Sequence, residues 1–202
     1  MKPWLCWRAV CFNPNRIKHG GRSVMLEVTS WIWLLLVVFV LHDMEELIVV
    51  EEWLGKYNGV VIKKAPRWFK GMVEPSLTMS TAQFAVAVTC IFVVLASAVI
   101  LTIFTWEERT FLPFFLVCLH VLFLHSFTHI GQSLLLRTYT PGVVTAVTLT
   151  LPYGLFAYSR LFTEGVITWS MVFSTLPYVV LIIPLLYGAH RLGQFVSKPK
   201  DT

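Results

Sequence analysis

Lysine and arginine are absent from five long windows of the chain, 28–50, 77–106, 110–136, 138–159 and 161–190. Each window holds an apolar run, roughly 30–50, 81–105, 112–136, 142–162 and 167–188. As a helix, each run is long enough to cross about 30 Å of hydrocarbon, which takes about 20 residues. A soluble domain carries about 25% charged residues, whereas this chain has 13%, with 56% hydrophobic residues and a mean hydropathy of +0.72. The runs are continuous and lack the period-two alternation of transmembrane strands, which excludes a barrel. The expected fold is therefore all-α, a polytopic membrane helical bundle with about five transmembrane helices.

The formal net charge of +5 does not point to nucleic acid, because the basic residues flank the apolar runs. Lys2, Arg8, Arg16, Lys18 and Arg22 precede the first run, and Lys56, Lys63, Lys64, Arg67 and Lys70 follow it. Such placements serve topology and headgroup contact. Five crossings would put 7 Lys and Arg on one face and 9 on the other, so charge does not choose the orientation. Four cysteines are too few for a disulfide framework, and Cys6, Cys11 and His19 lack a fourth zinc ligand. The chain divides into a basic leader over 1–25 without helical or strand periodicity, a bundle over 26–192 and a polar tail over 193–202. Within the bundle, 51–79 reads as an interfacial loop. The leader has no apolar core before a small-residue cleavage site, unlike a secretory signal, and Met25 is a candidate start.

The first run, Trp31 to Val50, contains His42, Asp43, Glu45 and Glu46. From Trp31 to Leu41 a helix would be about 17 Å long, too short to span, so the patch Leu47 to Val50 must be counted and the acids lie within the bilayer or at its inner boundary. On a helical wheel, Glu46 lies about 40° and Glu45 about 60° from His42, and Asp43 falls off that face. Each ionised carboxylate at mid-membrane costs about 2.5–3.5 kcal/mol. Compensation must come from histidines, the flanking Arg137 and Arg160, or a bound metal.

The third run supplies imidazoles. His125 and His129 are four apart and share a face, the spacing that lets two imidazoles hold one metal. Gln132 continues that stripe and Cys118 precedes it, while His120 points elsewhere. The expected ligands are His42, Glu46, His125 and His129, with Glu45 as general base and Arg137 and Gln132 as substrate-binding residues. Imidazole and carboxylate suit a divalent ion, zinc in preference to iron. With a water in an open position, such a centre is of hydrolase type.

In the stretch Arg137 to Thr145, Thr140 is expected to cap the fourth helix and Pro141 to occupy its first turn. Pro152, Pro177 and Pro184 are expected to interrupt helices four and five. Tyr153, Tyr158, Tyr178 and Tyr187 are candidates for an interfacial aromatic belt.

The motif His42-Asp43-Met44-Glu45-Glu46, followed by the His-rich helix and the Arg-x-Tyr-x-Pro-Gly turn, resembles the HXXEE family over roughly 30–190. The resemblance implies a small multi-spanning membrane protein of the bacterial inner membrane, with His42, Glu45 and Glu46 as motif positions and an enzymatic role built on them. The chain is also loosely similar to intramembrane CAAX-type proteases, which pair adjacent glutamates with histidines on other helices. Those enzymes carry an arginine four residues after the second glutamate, where this chain has Val50. The functional expectation is a metal-dependent hydrolase acting on a membrane lipid or lipid-linked small molecule. The alternatives are a non-haem iron oxidase or hydroxylase using the same ligands, and a non-enzymatic proton-linked transporter or binding protein.

Overall fold

The computed structural model describes residues 14–64, 77 and 79–196, with side chains from Glu27 onward. Among the described residues the chain forms five helical rods and no strand. The first, α1, is a single helix over Pro14–Lys64, α2 is Thr81–Phe104 and α3 is Leu112–Leu136. The fourth rod, α4, joins Val143–Thr145, a π-helical stretch Ala146–Thr150 and Leu151–Thr163. The fifth, α5, joins Trp169–Thr175, a 3-10 stretch Leu176–Leu181 and Ile182–Val196. Three helices, Thr81–Phe104, Leu112–Leu136 and Trp169–Val196, are long and apolar enough to cross a membrane. In α1 the apolar run is interrupted by its acids, and α4 is divided by the π stretch.

The boundaries of α1 correct two expectations. It starts at Pro14, inside the supposed leader, and continues to Lys64, well into the supposed interfacial loop. Nucleating a helix is costly but extending one is cheap, so a stable central segment carries helix outward through stretches without periodicity of their own. The expected unstructured leader over 1–13, its cysteines, the loop over 65–76 and the tail beyond Val196 lie outside the described residues.

The buried face of α1 reads Val28, Ile32, Leu35, Phe39, His42, Glu46, alternating steps of four and three along one seam. The polar motif thus continues the hydrophobic stripe instead of leaving it. That seam meets Val88, Leu95, Ala98 and Val99 of α2, Phe115, Leu116 and Leu119 of α3, and Tyr153 and Ala157 of α4 in one core. The exterior keeps large apolar side chains exposed, Phe104, Leu134, Phe173 and Phe195 among them. In water such a surface would aggregate; hydrocarbon suits it.

Two of the three prolines interrupt the helices as expected, whereas Pro184 lies within the regular helix Ile182–Val196 and does not break it. The π stretch ends just before Pro152 and the 3-10 stretch contains Pro177, each adjusting the backbone where an amide is missing. Two of the tyrosines are not belt residues. Tyr153 is buried and donates to the carbonyl of Trp31 at 3.0 Å. Tyr158 hydrogen-bonds His120 Nδ1, whose Nε2 lies 2.8 Å from Thr175 Oγ1. His120 therefore ties α3 to α4 and α5, away from the other histidines.

The part of α1 beyond the motif docks on the far ends of its neighbours. Glu51 accepts from the amide and hydroxyl of Thr81 at 2.8 and 2.7 Å, where α2 begins, and these bonds hold its carboxyl below the ordinary range. Trp53 donates to the Tyr139 carbonyl and Lys64 to the Leu135 carbonyl, both at 2.6 Å. The turn between α3 and α4 is thereby held against α1.

The fifth rod, α5, comes close to α2 at Gly193, where an added Cβ would run into the backbone carbonyl of Gln83. A backbone group cannot swing aside as a side chain can. Gly193→Ala should cost about 1–3 kcal/mol, the range for overpacking, whereas at Gly188 an added Cβ meets nothing within 4 Å. Thermal unfolding in detergent should show a lower midpoint for Gly193→Ala than for Gly188→Ala; equal midpoints would mean the two helices are not in close contact there.

Candidate metal centre

Four side chains from two helices converge. His42 and Glu46 lie one turn apart on the buried seam of α1, and His125 and His129 one turn apart on α3. Glu46 Oε1 lies 2.8 Å from His129 Nε2, 3.6 Å from His42 Nε2 and 3.7 Å from His125 Nε2. The Nε2 atoms of His125 and His129 are 2.8 Å apart. All four donor atoms lie within 4.8 Å of one another. Two ligands about 2.0–2.1 Å from a tetrahedral zinc would be about 3.3–3.4 Å apart, so the observed spacings bracket those of a ligand shell.

The proton count favours a cation at this point. Glu46 as a carboxylate only accepts, and His129 Nε2 carries at most one proton for its two close neighbours. His42 Nε2 is buried with no hydrogen-bond partner among the described residues, and so is His129 Nδ1. Neither arginine named as a possible compensator reaches the cluster. Arg160 pairs with Glu27 and Glu164, and Arg137 is exposed at the C-cap of α3 without an ion pair among the described residues. The side chains of His42, Glu46 and His129 are at most 9% exposed, against 43% for His125. His125 therefore marks the accessible edge.

Glu45 faces a different group. It accepts from the Val144 amide at 3.3 Å, the Thr145 amide at 2.7 Å, the Thr145 hydroxyl at 2.6 Å and the Tyr139 hydroxyl at 2.7 Å. A carboxylate at a helix N-terminus satisfies orphan amides and meets the positive end of the dipole. Glu45 thus caps α4 from another helix. Burial and the Glu45 carboxylate push the Tyr139 phenol above its ordinary range, so it stays a donor.

The cap expected from Thr140 is not formed. Pro141 and Gly142 turn the chain, with Gly142 left-handed at φ 80°, and the helix starts only at Val143. Thr140 is instead buried, its hydroxyl 3.4 Å from the His129 carbonyl. Gly142 itself presses on the centre, since an added Cβ would lie 2.7 Å from Glu46 Oε1 and 2.9 Å from His129 Cε1.

The structure brings His42, Glu46, His125 and His129 together; Gln132 and Arg137 are exposed. Asp43 is buried off the donor face, its Oδ2 without a partner among the described residues. Thr145, Tyr139 and Gly142 carried no assigned role in the sequence; the Pro-Gly turn before a helix was the one available signal.

A profile of the family described as "protein of unknown function with HXXEE motif" matches residues 33–157, which include all four donors, Glu45 and Thr145. No curated protein and no solved structure matches the chain.

Proposed function

The chain belongs to the HXXEE-motif family, and from that premise we propose that it is a membrane protein that binds a divalent metal at His42, Glu46, His125 and His129 and hydrolyses a lipid or lipid-linked substrate. The observation that carries the proposal is the buried, unpartnered Nε2 of His42 facing Glu46 among two further imidazoles. Buried acceptors that face one another without a proton or cation between them are costly.

Zinc is favoured over iron because the cluster offers one carboxylate, whereas carboxylate di-iron bundles draw on several glutamates. An ion held there would polarise a carbonyl or phosphoryl oxygen and activate water near neutral pH. The protein's own part is to hold three donors in a dry interior and leave the His125 edge open. With an apolar exterior around it, that edge suits a substrate arriving from the bilayer. The bacterial inner membrane is the location we propose, since an α-helical bundle rather than a barrel carries the site.

Metal analysis after detergent purification tests the proposal on wild type, His42→Ala and His129→Ala. Wild type should retain about one equivalent of zinc and both variants should lose it, which would locate the site on two helices at once. Less than about a tenth of an equivalent of any transition metal in wild type would overturn it. For the reaction class, ester-linked lipid in vesicles should be cleaved by wild type and spared after chelation; cleavage that survives in the metal-free protein would rule out the metal's part.

A further inference from the structure

The hydrogen bonds behind His42 decide which of its ring nitrogens carries the proton. His42 Nδ1 lies 2.8 Å from Thr145 Oγ1, and the Thr145 hydroxyl lies 2.6 Å from Glu45 Oε2. A threonine hydroxyl has one proton to give. Its possible acceptors are the Glu45 carboxylate at 2.6 Å, His42 Nδ1 at 2.8 Å and the more distant Gly142 carbonyl at 3.3 Å. The charge-assisted, shorter bond takes the proton. Thr145 Oγ1 then faces His42 as an acceptor, so Nδ1 must be the donor. Neutral imidazole protonated at Nδ1 has its lone pair at Nε2, the atom aimed at Glu46 and the other histidines.

We propose that Glu45 and Thr145 form a relay that fixes the tautomer and ring orientation of His42, making both of them positioning residues of the metal centre. In this arrangement Glu45 is not the general base expected from the motif, because both of its oxygens are engaged by Tyr139, Val144 and Thr145. The π stretch Ala146–Thr150, which Pro152 follows, begins directly after Thr145. Such turns recur at functional sites, where the extra residue resets the phase of the helix. Thr150, at its end, is held by Ser126 of α3 at 2.8 Å. Thr145 is thus set in register between a cap from α1 and an anchor on the histidine helix.

The relay presupposes the metal centre proposed above for its purpose, but its protonation state can be read without metal. Nitrogen-15 NMR of histidine-labelled, metal-free protein in detergent, with the His42 resonances assigned from their loss in His42→Gln, should show wild-type His42 protonated at Nδ1. Thr145→Val should move those resonances toward a mixture of tautomers, and Thr145→Ser should restore them. A wild-type His42 protonated mainly at Nε2, or a Thr145→Val spectrum identical to wild type, would overturn the relay. The wild-type spectrum decides even if Thr145→Val does not fold. Zinc titration forms the second arm: Thr145→Val should bind about 10–100-fold more weakly, the usual loss for a group that orients a ligand, and Thr145→Ser within about 3-fold of wild type. Equal zinc affinity in wild type and Thr145→Val would also overturn the relay. If wild type takes no zinc, the metal centre fails and the NMR result still decides the tautomer.

Discussion

Glu46→Gln should bind zinc about 100- to 1,000-fold more weakly than wild type while leaving the metal-free fold intact. The size follows from the donor count. Structural zinc sites are worth about 10–16 kcal/mol over four ligands, so one ligand accounts for about 2.5–4 kcal/mol, or about two to three decades in affinity. Glu46 should lie at the upper end, because its Oε1 lies within 3.7 Å of the Nε2 of all three imidazoles. Glutamine keeps the volume but lacks the negative charge and one acceptor. Removing a buried carboxylate that has no lysine or arginine beside it also removes a desolvation penalty. The metal-free variant should therefore unfold at the wild-type temperature or above it. Wild type should gain about 2.7 kcal/mol from zinc at a hundred times its dissociation constant, and the variant almost none. A zinc-dependent shift in Glu46→Gln equal to that of wild type would show that Glu46 is not a ligand.

How much of this site could be read in advance depends on how far apart in the chain its partners lie. His42 with Glu46 and His125 with His129 are pairs within single helices, and a period of 3.6 residues places each pair on one face whatever else the chain does. That the two pairs meet followed from charge: acids submerged without lysine or arginine need imidazole or metal, and the third run carried the imidazoles. The role of Glu45 has no such local signature. It caps a helix about a hundred residues later, and a cap supplied from another helix exists only once tertiary packing has brought the two together. Local capping rules pointed to Thr140, and the left-handed Gly142 displaced the helix start beyond it. Two of the four tyrosines depart from the expected belt for a related reason. Composition marks tyrosine as interfacial, but Tyr153 and Tyr158 have partners in the interior, Trp31 and His120, that only the packed bundle supplies. The length of α1 was hidden because helix propagation outruns the periodicity used to detect it.

Two glycines separate the cost of backbone strain from the cost to the centre. Gly142 and Gly165 both adopt left-handed conformations, at φ 80° and 63°. An alanine at either should cost about 1–2 kcal/mol, because a Cβ crowds the neighbouring carbonyl in that region. Beyond this the two sites diverge: an added Cβ at Gly165 meets nothing within 4 Å, whereas at Gly142 it meets Glu46 Oε1 at 2.7 Å, His129 Cε1 at 2.9 Å and Glu46 Cγ at 3.0 Å. To relieve the contact, either the Glu46 and His129 side chains must separate or the Pro-Gly turn must lift away. Lifting the turn would carry Val144 and Thr145 off Glu45 and remove the support behind His42. Either route disturbs donors that need placement within about 0.5 Å. Gly142→Ala should therefore lose at least about 10-fold in zinc affinity, comparable to the loss of an orienting group, in addition to its loss of stability. Gly165→Ala should lose stability alone and titrate with zinc as wild type does. Zinc titrations and metal-free unfolding of the two variants in the same detergent make the comparison. If both lower the unfolding temperature and neither changes zinc binding, the turn before α4 does not abut the centre, and the contact of Gly142 with Glu46 and His129 is not a feature of the folded protein.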